Sequence, residues 1–187
     1  MPYPAKVTLT TIVEHARTMI ETEGIEALSL NKLAAALGIK APSLYRHVAS
    51  KTALLRAVNT DTMQALVTAI NQAVEQVDPT DTRARLMALA LAYRAFAHDN
   101  PITYDLAFTN TIPDLQVDAA EAEQLVLPLQ ALMAAWVGEE KALAALRGAM
   151  ALVHGFAMLE INGQLRRGGD LNQAFEQSFA AFLAGWR

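Results

Sequence analysis

The sequence predicts an all-α protein, and two observations support this. Alanine, leucine and glutamate recur at helical spacing, and no sustained alternation of β-branched residues indicates a strand. Hydrophobic residues make up 53% of the 187 residues and charged residues 18%, which suits a packed core and excludes a disordered chain. We expect about nine helices, in one domain or in one domain with a small second module.

The N-terminal part of the chain predicts three helices in close succession. A first helix over residues 10–23 carries apolar residues on one face and ends at Gly24. A second begins after the N-cap candidate Ser29 and closes at Gly38. Proline then opens a third helix over residues 42–48. Two helices of about two turns with a short connection form a helix-turn-helix pattern.

The rest of the chain predicts six further helices, separated by proline, glycine and aspartate. Ser50 and Asp170 are N-cap candidates, and Pro128 is expected to kink the seventh helix or to restart it. Residues 109–118 carry Pro113 and no helical period, so we expect a loop there. The six helices are predicted over residues 51–77, 81–98, 102–108, 119–137, 139–165 and 171–186.

Composition excludes several classes of protein. The chain has no cysteine, which removes disulfides, thiolate metal sites and cysteine nucleophiles. The longest uncharged apolar stretch, residues 124–138, is shorter than the roughly 18 residues that span a membrane. Residues 1–11 hold one lysine and no apolar block, so no secretory signal is expected. The sequence predicts a cytoplasmic protein that does not enter a membrane.

Basic residues concentrate near the N-terminus of an acidic chain. The formal net charge is −4, but residues 1–56 hold seven basic and four acidic residues, whereas the remainder holds 8 basic and 15 acidic ones. Five basic residues and no acidic one lie between Glu26 and Asp61. This local positive charge suits a polyanionic partner, although five charges can also simply solvate helix surfaces.

The third helix has the features of a DNA recognition helix. Leu44 and Val48, four positions apart, are expected to face the core, and the opposite face is free to enter a major groove. Arg46 is the candidate for guanine O6 and N7. The predicted DNA-binding residues are Ser29, Lys40, Ala41, Pro42, Ser43, Tyr45, Arg46, His47 and Lys51.

The remaining contacts divide between bases and backbone. Ser43 is expected at a base edge or a phosphate, and Tyr45 at a phosphate or a thymine methyl group. Lys51 and Ser29, at the starts of two helices, are expected at the phosphate backbone. The alternative is an ordinary helical hairpin in which Tyr45 and His47 are half-buried packing residues.

Residues 29–39 and 43–48, with Ser50-Lys51 and Leu54-Leu55 beyond, resemble the DNA-binding domain of TetR-type transcriptional regulators. The match covers about residues 9–56. It is specific, because small residues, glycine, an aromatic residue and lysine fall at the family's spacing. The resemblance implies a homodimeric repressor that a small molecule releases from its operator.

Two positions depart from the family pattern. Val48 stands where phenylalanine is usual, and Thr52 stands where an acidic residue often follows the lysine. Neither departure removes a predicted DNA contact. We therefore predict a three-helix helix-turn-helix domain over residues 1–56, followed by a helical ligand-binding and dimerisation domain over residues 57–187.

The C-terminal half resembles the same family through a second motif. Residues 152–160, followed by Asn162-Gly163, are similar to the ligand-domain variant named for a Trp-His-Gly motif. The His154-Gly155 pair matches the motif, and Val153 stands in place of the tryptophan.

The last two helices predict a dimer interface. Residues 142–159 carry one charge, Arg147, and are otherwise apolar or small on every side, which favours burial on two sides. Two such helices from each of two chains form a two-fold four-helix interface; the alternative is the core of a monomer. A two-fold dimer predicts a nearly palindromic operator. The predicted contacts are Ala144, Gly148, Ala151, Gly155, Phe175, Phe179, Phe182 and Trp186.

A pocket for a small organic molecule is expected among the fifth to eighth helices, where polar groups interrupt apolar faces. The ligand would be uncharged or weakly charged. The alternative is that these side chains are plain core. The predicted walls are Tyr93, Phe96, Tyr104, Phe108, Met133, Met150 and Met158, and the predicted polar groups are His98, Asp105, His154 and Asn162.

Two other classes of function compete with a DNA-binding regulator. The chain has no His-Glu-x-x-His, Gly-x-Ser-x-Gly or glycine-rich phosphate loop, so we expect no enzyme, no cofactor and no metal site. A helical carrier or interaction protein that keeps the helix-turn-helix only as a scaffold is the other class. The predicted partners are a double-stranded DNA operator, a small-molecule effector and a second copy of the chain.

Overall fold

The computed structural model describes residues 7–186, and every regular element in that part of the chain is helical. The all-α prediction is confirmed, with nine α-helices among the described residues and 3-10 turns at Ile25–Ala27 and Pro113–Leu115. The helices are α1 (Leu9–Glu23), α2 (Leu30–Ala36), α3 (Ala41–Leu44), α4 (Lys51–Glu75), α5 (Thr82–Asp99), α6 (Pro101–Phe108), α7 (Ala119–Val137), α8 (Glu139–Ile161) and α9 (Leu171–Ala184).

The first compact unit contains the chain up to Gln64 together with Asn100–Asp118. One apolar cluster forms its core, and Leu106 of α6 and Leu115 of the following turn belong to that cluster. Helix α6, predicted to belong with the C-terminal helices, therefore packs with the N-terminal ones. The largest fully buried side chains of the cluster are Ile12, Ile20, Leu28, Leu33, Leu44 and Leu54.

The second compact unit contains Ala65–Asp99 and the chain from Ala119 onward. Helix α8 packs against α5, α7 and α9 in this unit, which explains its buried apolar residues, whereas Leu143 and Leu159 of the same helix remain exposed. Helix α4 begins in the first unit and ends in the second, and it runs unbroken through the domain boundary predicted after residue 56.

Short-range signals set most helix ends. Ser29, Ser50 and Asp170 each accept a hydrogen bond from the backbone N–H three residues later, as predicted for N-caps. Gly24 and Gly38 adopt φ values of +86° and +66°, which L-residues with a side chain rarely reach. The predicted starts and stops of the first two helices are thus close to the observed ones.

Helix α8 ends four residues before the predicted end at residue 165. Gly163 adopts φ +61°, its N–H donates to the Glu160 carbonyl, and the N–H of Gln164 donates to the Leu159 carbonyl. These bonds satisfy carbonyls of the last turn and stop the helix. The Asn162-Gly163 pair was the local signal for this end.

Two other elements differ from the predicted ones. Helix α3 ends at Leu44, and the predicted helix over residues 42–48 continues as a turn in which the N–H groups of His47 and Val48 both donate to the Leu44 carbonyl. The seventh helix was expected either to kink or to restart at Pro128. It does not restart, because α7 continues as one helix through that residue.

Helix α8 is long and apolar enough to cross a membrane by length and composition alone. The prediction from uncharged apolar stretches did not include this helix, because Arg147 lies within it. Ala145, Leu146 and Val153 of α8 are buried in the second unit, as expected of a core helix. Because the core helix of a water-soluble protein passes the same test, α8 does not by itself indicate a membrane span.

Candidate nucleic-acid interface

The residues predicted to contact DNA are on the surface. Tyr45 is 52% exposed and His47 is exposed, which disagrees with the alternative in which both are packing residues. Ala41 is half-buried. The exposed predicted contacts are Ser29, Lys40, Pro42, Ser43, Tyr45, Arg46, His47 and Lys51.

Two buried side chains hold this segment against the first unit. Leu44 and Val48 are 0% and 3% exposed, and both belong to the apolar cluster of that unit. Because these anchors point inward, Ser43, Arg46 and His47 remain on the exposed side of the turn. The substitution of valine for the usual phenylalanine leaves this anchoring position buried.

The exposed cations of the segment are available to a polyanion. Lys32 forms an ion pair with Glu23, and Arg17 pairs with Asp61 at 2.9 Å. Within residues 7–186, by contrast, Lys40, Arg46 and Lys51 form no ion pair with a carboxylate. Phosphate oxygens can therefore bind these three side chains without displacing an internal partner.

Ser29 combines a structural role with an available donor. Its Oγ accepts a hydrogen bond from the Lys32 N–H at 3.2 Å, which caps α2. A serine hydroxyl that accepts a bond still carries its own hydrogen. The hydroxyl of Ser29 can therefore cap the helix and donate to a phosphate at the same time.

Glu21 joins α1 to α6, a contact that the sequence did not predict. Its Oε1 accepts bonds from the N–H of Thr103 at 2.6 Å and from Oγ1 of Thr103 at 2.5 Å, and its Oε2 accepts the N–H of Ile102 at 3.2 Å. Thr103 is fully buried. The Glu21 carboxylate therefore caps the N-terminus of α6, and helix starts favour a negative charge.

Replacing Glu21 by alanine should lower the free energy of unfolding by about 1–3 kcal/mol, because the buried donors of Thr103 lose their acceptor. Urea denaturation followed by circular dichroism measures this. Glu26→Ala, which removes an exposed carboxylate nearby in the sequence, is the control and should change stability by less than about 0.5 kcal/mol. Equal stability of the two variants would contradict the capping role of Glu21.

The predicted ligand residues divide between the two compact units. Tyr104, Asp105 and Phe108 belong to the first unit. Tyr104 is fully buried with its ring 4.9 Å from that of Phe108, and the Asp105 carboxylate accepts a bond from Thr109 Oγ1 at 2.7 Å. These three side chains are thus engaged within the N-terminal unit.

The other eight predicted ligand residues belong to the second unit. His98 is exposed beside Glu160, and the Asn162 side chain donates to the Met158 carbonyl at 2.9 Å. Met150 lines a groove of about 540 Å³ between α7 and α8. In this group Tyr93, Phe96 and Met133 are buried, whereas Met150, His154 and Met158 are half-buried. Among residues 7–186, no group of three or more histidine or acidic side chains is placed to hold a metal ion.

The second unit contains an ion-pair network that the sequence did not predict. Arg94 donates two hydrogen bonds to Glu160, at 2.5 and 2.7 Å, and one to Asn172 at 2.9 Å. Nε2 of His98 lies 3.1 Å from Glu160 Oε2. Burial raises the pKa of Glu160, but the hydrogen bonds from Arg94 and His98 outweigh it and hold that pKa below its usual value. Glu160 is therefore ionised at neutral pH.

The predicted dimer residues differ in accessibility. Phe175 and Phe179 are fully buried within the protomer, with ring centroids 6.4 Å apart. Their side chains are therefore not accessible to a second chain, and they stabilise the protomer instead. The accessible members are exposed Ala144 and Ala151 and half-buried Gly148, Gly155, Phe182 and Trp186.

Two family models match the chain. The model described as "Bacterial regulatory proteins, tetR family" matches residues 12–58, which include the exposed basic segment. The model described as "Tetracyclin repressor-like, C-terminal domain" matches residues 86–182, more than half of the chain. The Trp-His-Gly variant is not distinguished by these matches and stays a prediction.

Individual proteins support the same grouping. The uncharacterized HTH-type transcriptional regulator Rv0681 of Mycobacterium tuberculosis is 36% identical over 165 residues, which is 86% of this chain and 73% of that protein. The structure of a protein with unknown function from Rhodococcus sp. RHA1 has a TM-score of 0.81 and 26% identity, covering 100% of this chain and 98% of that one. TetR from Acinetobacter baumannii AYE, at 21% identity and 96% coverage of both chains, shares the fold with a TM-score of 0.68.

Proposed function

Because this chain belongs to the TetR family of bacterial transcriptional regulators, we propose that it is a cytoplasmic, homodimeric repressor that a small organic molecule releases from its operator. The observation that carries the DNA-binding part is the exposed segment around α3, where Lys40, Arg46 and Lys51 form no ion pair with any described carboxylate and Leu44 and Val48 anchor the backbone. This arrangement presents cations on a rigid support, as major-groove recognition requires.

Individual contacts follow from the chemistry of the exposed groups. The guanidinium of Arg46 suits guanine O6 and N7, which carry sequence information. Ser29 and Lys51 lie at the first turns of α2 and α4, where free N–H groups and the helix dipole favour phosphate. In this proposal Arg46 gives specificity, and Ser29 and Lys51 give position on the duplex.

The regulatory step would act through α4. This helix starts at Lys51, beside the DNA-binding segment, and continues without a break into the second unit. We place the effector between α5 and α8, which pack together. These helices carry the predicted ligand residues Tyr93, Phe96, His154 and Met158. Release requires that the effector bind the conformation without operator more tightly than the conformation with it.

Genomic fragments selected by the purified protein should share a nearly palindromic site, and Arg46→Ala should weaken binding to that site by about 10- to 100-fold. This corresponds to the roughly 1–3 kcal/mol that one good base contact contributes. Fluorescence anisotropy at several salt concentrations measures it, and affinity should fall as salt rises.

Arg83→Ala, at an exposed position of α5, is the matched control and should bind the operator like the unsubstituted protein. A selection that returns no common site, with equal binding of both variants, would contradict operator recognition. That outcome would favour the alternative, a helical carrier or interaction protein that keeps the helix-turn-helix as a scaffold.

A further inference from the structure

A second small-molecule site is indicated where the chain passes from α8 to α9. A cavity of about 410 Å³ opens there, within the size range of small-molecule pockets, and its lining is mostly apolar. The cavity lies within the second compact unit. Its lining residues are Phe156, Gln164, Leu165, Arg166, Arg167, Leu171 and Ala174.

Side chains of α5 and α9 support the aromatic wall of the cavity. The Phe156 ring meets the buried Phe175 ring edge-on, with centroids 5.2 Å apart. The Arg94 guanidinium lies 5.7 Å from the Phe156 centroid and 5.0 Å from that of Phe175, and its bonds to Glu160 and Asn172 fix it there. The aromatic wall is therefore held in place before any ligand arrives, which lowers the entropy lost on binding.

Two cationic side chains lie beside this apolar wall. Arg166 and Arg167 are exposed, and within the described part of the chain neither forms an ion pair. Nε of Arg166 donates to the Gly163 carbonyl at 3.2 Å, which leaves its terminal nitrogens available. The nearby carboxylate of Asp170 accepts N–H groups at the start of α9 and is committed there.

We propose that this cavity binds an amphipathic carboxylate, with its hydrocarbon tail against Phe156 and Leu171 and its carboxylate between Arg166 and Arg167. A neutral apolar molecule would leave both guanidinium groups unused, and a bare inorganic anion would leave the apolar wall unused. Guanidinium groups bind carboxylates through paired N–H donors. None of the residues that line this cavity is among those predicted to contact the effector.

Octanoate is the probe, titrated into the purified protein and followed by isothermal calorimetry and by the amide resonances of Gly168 and Gly169. Octanoate should bind saturably and shift both resonances. Octanol, which has the same tail without the charge, and acetate, which has the charge without the tail, should each bind at least ten times more weakly. Equal binding of octanol or acetate would overturn the proposal.

Variants test the two halves of the site separately. Arg166→Gln with Arg167→Gln should weaken octanoate binding at least tenfold, whereas Arg83→Gln with Lys141→Gln, also exposed and elsewhere in the same unit, should leave it unchanged. Ala174→Phe should fill the cavity and also weaken binding.

Unchanged octanoate binding in the Arg166/Arg167 double variant would refute the carboxylate site. All of these binding measurements use protein without DNA, so a failure here is independent of operator recognition.

Discussion

Replacing Arg94 by alanine should lower the free energy of unfolding by about 3–5 kcal/mol, because the variant leaves the Glu160 carboxylate buried without its main partner. The side chains of Arg94 and Glu160 are only 12% and 5% exposed, so little water reaches the pair in the folded protein. The aromatic pair Phe156 and Phe175 also loses the cation above its rings. Chemical denaturation at pH 7 measures the change.

A double substitution separates the ion pair from simple loss of volume. Arg94→Leu with Glu160→Leu removes both charges and should be more stable than Arg94→Leu alone, since no uncompensated carboxylate remains. Arg83→Ala, an exposed arginine on the same helix, should change stability by less than about 0.5 kcal/mol. A penalty for Arg94→Ala as small as that for Arg83→Ala would show that the pair does not stabilise the unit.

Lowering the pH should reduce the loss of unfolding free energy that Arg94→Ala causes. The network holds the pKa of Glu160 below its usual value of 4.5, so the pair stabilises the folded state above the pKa of the unfolded chain. This contribution is lost as the pH falls through the lowered pKa of the folded state, where Glu160 becomes neutral. The difference in the free energy of unfolding between the Arg94→Ala variant and the unsubstituted protein should therefore become smaller at low pH.

Local signals made the N-terminal part of the fold predictable. N-cap side chains at Ser29 and Ser50 and glycines at the helix ends act on residues three or four positions away, so the sequence alone contains the whole interaction. The spacing of Leu44 and Val48 predicted which face is buried, and the exposure of Arg46 followed from it. The predicted DNA-binding surface depends only on these short-range rules.

Long-range contacts were not predictable in the same way. Glu21 and Thr103 are 82 positions apart, and Arg94 and Glu160 are 66 positions apart. Periodicity indicates that a helix has an apolar face, but it does not indicate which charged residue of another helix will meet it. For this reason α6 was expected with the C-terminal helices, whereas Glu21 holds it on α1.

Composition alone could not separate a ligand wall from a packed core. Tyr104 and Met133 are as apolar and as helically spaced as any cavity residue, yet both are fully buried. The cavity beside Arg166 was missed because the eighth helix was predicted to run to residue 165. The helix end at Ile161 leaves Gln164 and Leu165 outside the helix, where they line the cavity together with Phe156.

Replacing Ala151 by glutamate should convert the proposed dimer into monomers and weaken operator binding by roughly 100-fold or more. In a two-fold interface each residue near the axis meets its own copy, so one substitution brings two carboxylates together. Ala151 is exposed on α8 between Gly148 and Gly155, where small residues leave a smooth surface. A monomer loses the gain from binding two half-sites at once, which is on the order of 10²–10⁴.

The protomer itself tolerates this change, which makes the test specific for association. Ala151 is exposed, unlike half-buried Gly148, where an added Cβ would lie 2.9 Å from the Phe182 ring of α9. Ala95→Glu, at an exposed position of α5, is the matched control and should remain dimeric in sedimentation velocity. If Ala151→Glu also sediments as a dimer, the two chains associate through another surface. The α7 and α8 groove lined by Leu127 and Leu143 is then the next surface to substitute.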